Sequence, residues 1–187
     1  MVDMVLLQSA SYVAAAIGVC FAAFYYVMTL RVQQANMRES TNSRRATFVN
    51  NMLQQSGSEE WQRLGMDVFS MKWSDFDDFE KKYGWPANPE LAAKRHAYWA
   101  RYDAIGRQVV AGLISLDNIG AVAGYNMVAT WLFFKPIIEG YRRTEFPTNA
   151  YSEFEYVANA MMKKLTDVDP GFPRKVAMYS HDVAQDA

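Results

Sequence analysis

The chain has 187 residues, of which 51% are apolar and 14% aromatic. This composition suffices for one folded domain with a buried core and argues against general disorder. The formal net charge is −1, which excludes the overall basic field of a dedicated nucleic-acid-binding protein, so nucleic acid is not expected as a partner. The one cysteine, Cys20, cannot form a disulfide framework or a thiolate metal site within the chain.

An uncharged run from Leu6 to Leu30 predicts a transmembrane helix. Such a helix would be roughly 37 Å long, more than the roughly 30 Å hydrocarbon core, so some tilt is expected. A cleavable signal peptide is the main alternative, but it requires a positively charged start and a shorter apolar run, whereas the charged residue before this run is Asp3. Residues 1–30 are therefore predicted to be an N-terminal membrane anchor.

Arginines follow the apolar run, and neither Lys nor Arg precedes it. They are Arg31, Arg38, Arg44 and Arg45. Because positive flanks stay on the inner side, this asymmetry predicts a single-pass protein of the cell membrane, with its N-terminus outside and the rest of the chain in the cytoplasm. The same arginines can attract anionic headgroups, which makes membrane lipid a predicted partner. The favoured interpretation is that they set orientation only.

Small residues recur every four positions within the predicted span, at Ala10, Ala14, Gly18 and Ala22. They would line one side of the helix, and small side chains let two membrane helices approach closely. This pattern favours self-association or contact with the transmembrane helix of a partner protein. An alanine-rich anchor with an incidental period explains the pattern equally well.

Residues 31–57 are predicted to be a juxtamembrane helix or linker, ending at Gly57. A helical domain is expected over residues 58–166, with a capping pattern at Ser56 and Glu59 and a second cap at Ser74. Its amphipathic helices are predicted at Glu59–Met71, around Phe76 to Tyr83, from Asn88 to about Ala111, from Leu116 to about Phe134, at Ile137–Arg143 and at Tyr151–Leu165.

Proline and glycine positions complete the prediction. Pro136 should kink or break the chain, while Gly120 and Gly124 would lie one turn apart inside a helix and permit close packing. The segment 167–187 should be a loosely ordered tail. Because no alternating strand pattern is present, the expected fold is all-α: an N-terminal transmembrane helix followed by an irregular cytoplasmic helical bundle.

Several segments carry a resemblance to a known family. They are Trp73-Ser74-Asp75-Phe76-Asp77-Asp78-Phe79 with Lys82-Tyr83-Gly84, Tyr25 to Arg31, Gly106 to Leu116, and Phe134 to Ile138 ahead of Tyr141-Arg142-Arg143. In this order they resemble uncharacterised prokaryotic single-pass membrane proteins that share a helical domain of unknown function. The resemblance extends to about Leu165. It implies an anchor and a helical domain, and it implies no activity and no catalytic residue.

An acidic cluster at Asp75, Asp77 and Asp78 is the candidate metal site, because carboxylates can hold Mg²⁺ or Ca²⁺. The spacing does not match a calcium loop, so the favoured interpretation is a solvated acidic start of a helix that buries Phe76 and Phe79. No metal or other cofactor is therefore expected.

A basic character marks the helix after Asn88, which carries Lys94, Arg95, Arg101 and Arg107. Since Tyr98 and Tyr102 form a core stripe, the basic residues are expected on the exposed side, with surface pairing to the acidic cluster. Catalytic motifs are missing from the sequence. The leading hypothesis is a membrane-tethered interaction module or accessory subunit without catalytic activity. The alternative is a metal-dependent enzyme or sensor that uses Asp75 to Asp78.

Overall fold

A computed structural model describes residues 4–180, apart from the side chains of residues 5–7, 53, 121 and 122. Every regular element in this part of the chain is helical, which confirms the all-α prediction. The helices are α1 (Met4–Ser56), α2 (Glu59–Phe69), α3 (Phe76–Tyr83), α4 (Pro89–Val110), α5 (Leu116–Ile119), α6 (Ala121–Thr144), α7 (Ser152–Val168) and α8 (Phe172–Val176), followed by a 3-10 turn at Ala177–Tyr179.

The chain divides into two compact units, the first ending at Thr47 and the second beginning at Phe48. All described residues of the first unit lie in α1. Among the described residues, α1 is the helix that is long and apolar enough to cross a membrane, with a mean hydropathy of 2.0 in a window that has no buried residue. The division between the units falls inside the segment predicted as a juxtamembrane helix or linker.

The second unit is a helical bundle in which α4, α6 and α7 supply most of the buried side chains. Trp99 of α4, Phe134 of α6 and Phe154 of α7 have no exposed surface. Two glycines let α7 approach its neighbours: a Cβ at Gly106 would overlap the backbone carbonyl of Glu153. A Cβ at Gly124 would overlap the side chain of Met161, so the predicted close packing is present there.

The caps of two helices differ from the prediction. Ser58 instead of Ser56 caps α2, and its Oγ accepts the Trp61 N–H at 3.2 Å. Ser56 is unavailable because it is the last residue of α1, where its hydroxyl donates to the carbonyl of Met52 at 2.8 Å. The backbone position of each serine, which local sequence does not specify, decides which of them caps.

Asp75 caps α3, in place of the predicted Ser74. Its carboxylate accepts the backbone N–H of Asp78 at 2.8 Å, and the Asp78 carboxylate accepts the N–H of Ser74 at 3.0 Å. This reciprocal arrangement satisfies two N–H groups at the start of the helix and places negative charge there.

The helix break predicted at Pro136 lies instead at Gly120. Gly120 has a φ of 73°, a conformation that glycine adopts without steric cost, and it separates α5 from α6. Helix α6 continues through Pro136, although proline removes one backbone hydrogen bond. Phe134 and Ile137 on either side of the proline are fully buried, so tertiary packing maintains the helix.

The predicted loose tail is wrong for residues up to 180. Helix α8 buries Val176 completely and leaves Phe172 only 6% exposed, and Tyr179 stacks edge-to-face on Phe69 at 5.6 Å. Pro173 lies in the first turn of α8, where proline favours helix initiation. The last seven positions of the predicted tail, 181–187, lie outside the described residues.

Candidate functional site

The small residues of the predicted span are all exposed along α1: Ala10, Ala14, Gly18 and Ala22. A Cβ placed on Gly18 would have no heavy atom within 4 Å other than those of its own helix backbone and chain neighbours. The stripe therefore has room for a second helix, and nothing in the described part of the chain identifies that helix.

The four arginines that follow the span are also exposed. Arg31, Arg38 and Arg45 are seven residues apart and lie on one side of α1, within about 40° of one another. In a straight helix Arg38 lies roughly 10 Å and Arg45 roughly 21 Å beyond Arg31 along the axis. Arg31 is therefore the nearest of the three to the uncharged stretch that ends at Leu30.

The acidic cluster is used by α3 itself. Asp75 caps the helix, and Asp78 forms an ion pair with Lys82 at 2.7 Å. The hydrogen bond from Lys82, followed by that from the Ser74 backbone, lowers the pKa of Asp78. Among the described residues, no group of three or more His, Cys, Asp or Glu side chains is placed to hold a metal ion. The geometry thus gives no support to the alternative that depends on these acids.

Arg95 is buried, contrary to the prediction that α4 exposes its basic residues. It has no exposed surface. Its guanidinium donates from Nη1 to the carbonyl of Tyr83 at 2.7 Å and from Nη2 to the hydroxyl of Tyr141 at 2.9 Å. Burial lowers its pKa. The residue spacing indicates this burial. Arg95 precedes the core residues Tyr98 and Tyr102 by three and seven positions, so it lies on the same face of α4.

Aromatic rings surround the buried guanidinium. The centroids of Phe79, Trp99 and Tyr141 lie 4.7, 5.2 and 5.6 Å from its central carbon. Such contacts stabilise a desolvated cation through the electron-rich ring faces. The hydroxyl of Tyr141 in turn donates to the carboxylate of Glu80. Burial, and then this hydrogen bond, raises the pKa of Tyr141. The chain of contacts joins α3, α4 and α6 and connects the positive charge to a carboxylate.

His96 lies beside Arg95 in a second aromatic environment. Its Nδ1 is 2.9 Å from the hydroxyl of Tyr151, and the ring of Trp85 stacks on it at 5.4 Å. Its Nε2 is buried and has no hydrogen-bond partner in the described part of the chain. Burial, followed by the positive charge of Arg95, lowers the pKa of His96 to about 4. The imidazole is therefore neutral at physiological pH.

A second arginine fixes the end of α1. Arg101 donates to the carbonyl of Met52 and to the hydroxyl of Ser56, each at 3.2 Å, and its guanidinium stacks 4.1 Å from the ring of Trp61. Helix ends leave carbonyl groups without intrahelical partners, which cationic side chains can satisfy. The contact holds the last turn of α1 against α2 and α4.

An open groove beside α2 has a volume of about 230 Å³. It is lined by Trp61, Gln62, Gly65, Met66, Phe69, Tyr98, Tyr125, Asn126, Ala129 and Tyr179. Pockets for small molecules usually have about 300–1,000 Å³, so this groove is below the common range.

The comparisons with known proteins agree with the resemblance at a coarser level. The model of a domain of unknown function, DUF4760, matches residues 12–161. The chain therefore belongs to the DUF4760 family. No curated protein and no solved structure matches it. The family match assigns no activity.

Replacing Arg95 by Ala is expected to lower the free energy of unfolding by roughly 3–5 kcal/mol, because it removes the donor to Tyr83 and Tyr141 and opens a cavity. Arg95→Met should cost less, since it refills much of the volume without a charge. Lys94→Ala is the matched control on the exposed side of α4, where surface ion pairs contribute at most about 1 kcal/mol. Chemical denaturation of the full chain in detergent measures these differences. Equal losses for Arg95→Ala and Lys94→Ala would contradict the assignment.

Acidification is expected to destabilise the second unit through His96. Its folded pKa, about 4, lies below the ordinary value of 6.5, so the unfolded chain takes up a proton first as the pH falls. The contribution of His96 to the free energy of unfolding is fully present above the unfolded pKa. It is lost as the pH falls from the unfolded pKa to the folded pKa. The loss is roughly 1–2 kcal/mol, after allowance for solvent screening of a half-buried ring.

The His96→Gln variant is the control for this pH dependence, because it lacks the titrating ring. Thermal unfolding followed by circular dichroism over this pH range should give a flatter profile for the variant than for the parent chain. Identical profiles would show that His96 does not titrate differently on folding.

Proposed function

We propose that the protein is a membrane-tethered helical interaction module, an accessory subunit of a membrane complex without catalytic activity of its own. One observation carries the proposal: α1 has no charged residue from Met4 to Leu30, and every described side chain along this stretch is exposed except that of Thr29, which is half-buried. Water would be a poor solvent for such a surface, whereas the hydrocarbon core of a bilayer suits it.

The proposed orientation places the N-terminus outside the cell membrane and the helical bundle in the cytoplasm, with a single span. Its support is the charge asymmetry around the span, where four arginines follow and no basic residue precedes. The proposed lipid contact concerns Arg31 above all, because the other arginines lie further along the helix axis.

The proposed binding partner within the membrane is a second copy of the chain or the transmembrane helix of another protein. The stripe from Ala10 to Ala22 supports this part, because its four residues are exposed and a Cβ on Gly18 would meet nothing within 4 Å beyond its own helix backbone and chain neighbours.

The character of the second unit supports a binding role over catalysis. Arg95 donates a hydrogen bond to Tyr141, Tyr141 donates one to Glu80, and the Asp75 and Asp78 carboxylates accept backbone N–H groups at the start of α3. These polar groups already form hydrogen bonds that stabilise the bundle, so they are occupied by structural contacts.

Charge exchange across the span tests the orientation. Replacing the four arginines by Gln and adding lysines before Met4 should invert the chain in the membrane, because the positive flank remains inside. Protease protection of a C-terminal tag in sealed membrane vesicles reports the orientation. The control replaces the same arginines by Lys and should leave the orientation unchanged. A bundle that stays on the same side after full charge exchange would refute this part of the proposal.

Self-association is tested with a large residue in the stripe. Gly18→Leu should weaken energy transfer between donor- and acceptor-labelled chains in liposomes, because the added side chain separates the helices. Cys20→Leu is the matched control, since position 20 lies about 200° around the helix from position 18. Equal energy transfer in both variants would exclude the stripe as the contact between copies.

A further inference from the structure

Aromatic rings form much of the wall of the groove beside α2. The groove lies within the second unit, between α2, α4, α6 and the 3-10 turn. Trp61 and Tyr98 stack at 4.4 Å on one another. Tyr179 meets Phe69 and Tyr125 edge-to-face at 5.6 and 6.0 Å. Because all of these residues line the groove, it offers aromatic surface from four separate elements of the bundle.

Gly65 lies in the middle of α2 and also lines the groove. Glycine inside a helix is less favourable than alanine, so its position needs a reason. A Cβ on Gly65 would lie 3.4 Å from the hydroxyl of Tyr98, which is ordinary van der Waals contact. At Gly106, by contrast, a Cβ would overlap a backbone carbonyl. Since packing does not require a glycine at position 65, the space that it leaves in the groove points to a ligand.

The groove offers hydrogen-bonding groups without charge. None of the described residues that line it is charged. Asn126 of α6 is half-buried, and its side-chain amide makes no hydrogen bond within the described part of the chain. The guanidinium of Arg101 lies 4.1 Å from the ring of Trp61, so a cation beside this ring would meet like charge. An anion would lose water without gaining a charged partner in the groove. An uncharged ligand therefore fits best.

The volume of the groove limits the size of that ligand. It is about 230 Å³, whereas a cavity of roughly 150 Å³ suffices to hold benzene. One aromatic ring or a fused pair of rings therefore fits, and a drug-sized molecule does not. Aromatic rings gain additional stabilisation from offset and edge-to-face contacts with one another, which a saturated ring of the same size lacks.

The charged surface next to the groove favours a free small molecule over a protein. Gln62 and Met66 line the groove and also border a surface that carries Glu59, Arg63 and Asp67. The side chains of these three charged residues are 79%, 72% and 50% exposed. A protein docked over the groove would remove them from water, and the centres of protein interfaces are depleted of charge. A small molecule leaves them solvated.

We propose that the groove binds an uncharged aromatic small molecule of the indole or phenol class, with its ring among the aromatic side chains and its N–H or O–H bonded to the amide of Asn126. This inference goes beyond the proposed function. It does not depend on the membrane placement, because every residue that lines the groove belongs to the second unit.

The test titrates indole into the full chain in dodecylmaltoside micelles, with isotope-labelled methionine methyl groups observed by NMR. The Met66 signal should shift and saturate, because the ring current of bound indole acts inside the groove. For so small a ligand the dissociation constant should be on the order of 0.1–1 mM. Met37 is the internal control, since it is 62% exposed against 65% for Met66 but lies on α1. Its signal should show no saturable shift.

Substitutions at Gly65 test whether the groove is the binding site. Gly65→Leu should weaken indole binding about tenfold or more without lowering the midpoint of thermal unfolding, because leucine fills the groove and favours the helix. Gly65→Ala should give an intermediate affinity. Ala100→Leu is the matched control, because it adds the same side chain at an exposed position of α4 outside the groove. It should bind indole as the parent chain does.

Charged relatives of indole test the preference for a neutral ligand. Tryptamine, a cation, and indole-3-acetate, an anion, should each bind several-fold more weakly than indole. Equal affinity for either of them would overturn the proposal, as would equal indole affinity in Gly65→Leu and the parent chain or a Met66 signal without a saturable shift. A Met66 signal that shifts on dilution without indole would show that a second copy occupies the groove, which also overturns it. None of these outcomes bears on the orientation of the span.

Discussion

The uncharged stretch of α1 from Met4 to Leu30 exposes apolar side chains that water solvates poorly, and the proposed function of the chain depends on this constraint. Full burial of one large apolar side chain contributes about 1.5–3 kcal/mol, and α1 exposes many such side chains, among them Phe21 and Tyr25 at 71% and 74%. The second unit has its own buried core, and these side chains are not members of it. In the proposed placement a bilayer would supply the missing burial, and the arginines after residue 30 would be the orientation signal.

The second unit depends on a different constraint, a positive charge held in its interior. A buried guanidinium is costly unless it is hydrogen-bonded and balanced. Arg95 meets these conditions at its two Nη atoms, which donate to Tyr83 and Tyr141, whereas its buried Nε has no hydrogen-bond partner in the described part of the chain. Glu80 supplies the balancing charge through Tyr141. The same contacts attach the short helix α3 to α4 and α6. His96 occupies the edge of this cluster and stays neutral because of it. Three of the core aromatic rings, those of Phe79, Trp99 and Tyr141, thus pack around one ion.

Capping residues and prolines in the sequence predict those helix ends that depend only on residues adjacent in the chain. Asn88 caps α4 with Pro89 in its first turn, as the sequence indicates. The helix break was misplaced because proline at position 136 is tolerated where buried side chains on both sides hold the helix, an effect of tertiary packing. Gly120 adopts a conformation that only the completed fold makes necessary. The tail was undervalued because Phe172 and Val176 gain their stabilisation from a core that the local sequence does not display.

The candidate site was less predictable than the fold. Arg95 was placed on the surface because of its residue type, although its spacing from Tyr98 and Tyr102 put it on the buried face. The acidic residues lie at the start of a helix, as the sequence indicates. The reciprocal hydrogen bonds of Asp75 and Asp78 depend on the backbone geometry, which the sequence does not show.

The central claim, that α1 is a membrane span, is tested most directly by flotation of the full, unprocessed chain with membranes after alkaline carbonate washing. The account predicts that the chain floats with the lipid and requires detergent for release. A chain that stays in the aqueous fraction as a freely soluble monomer would contradict it.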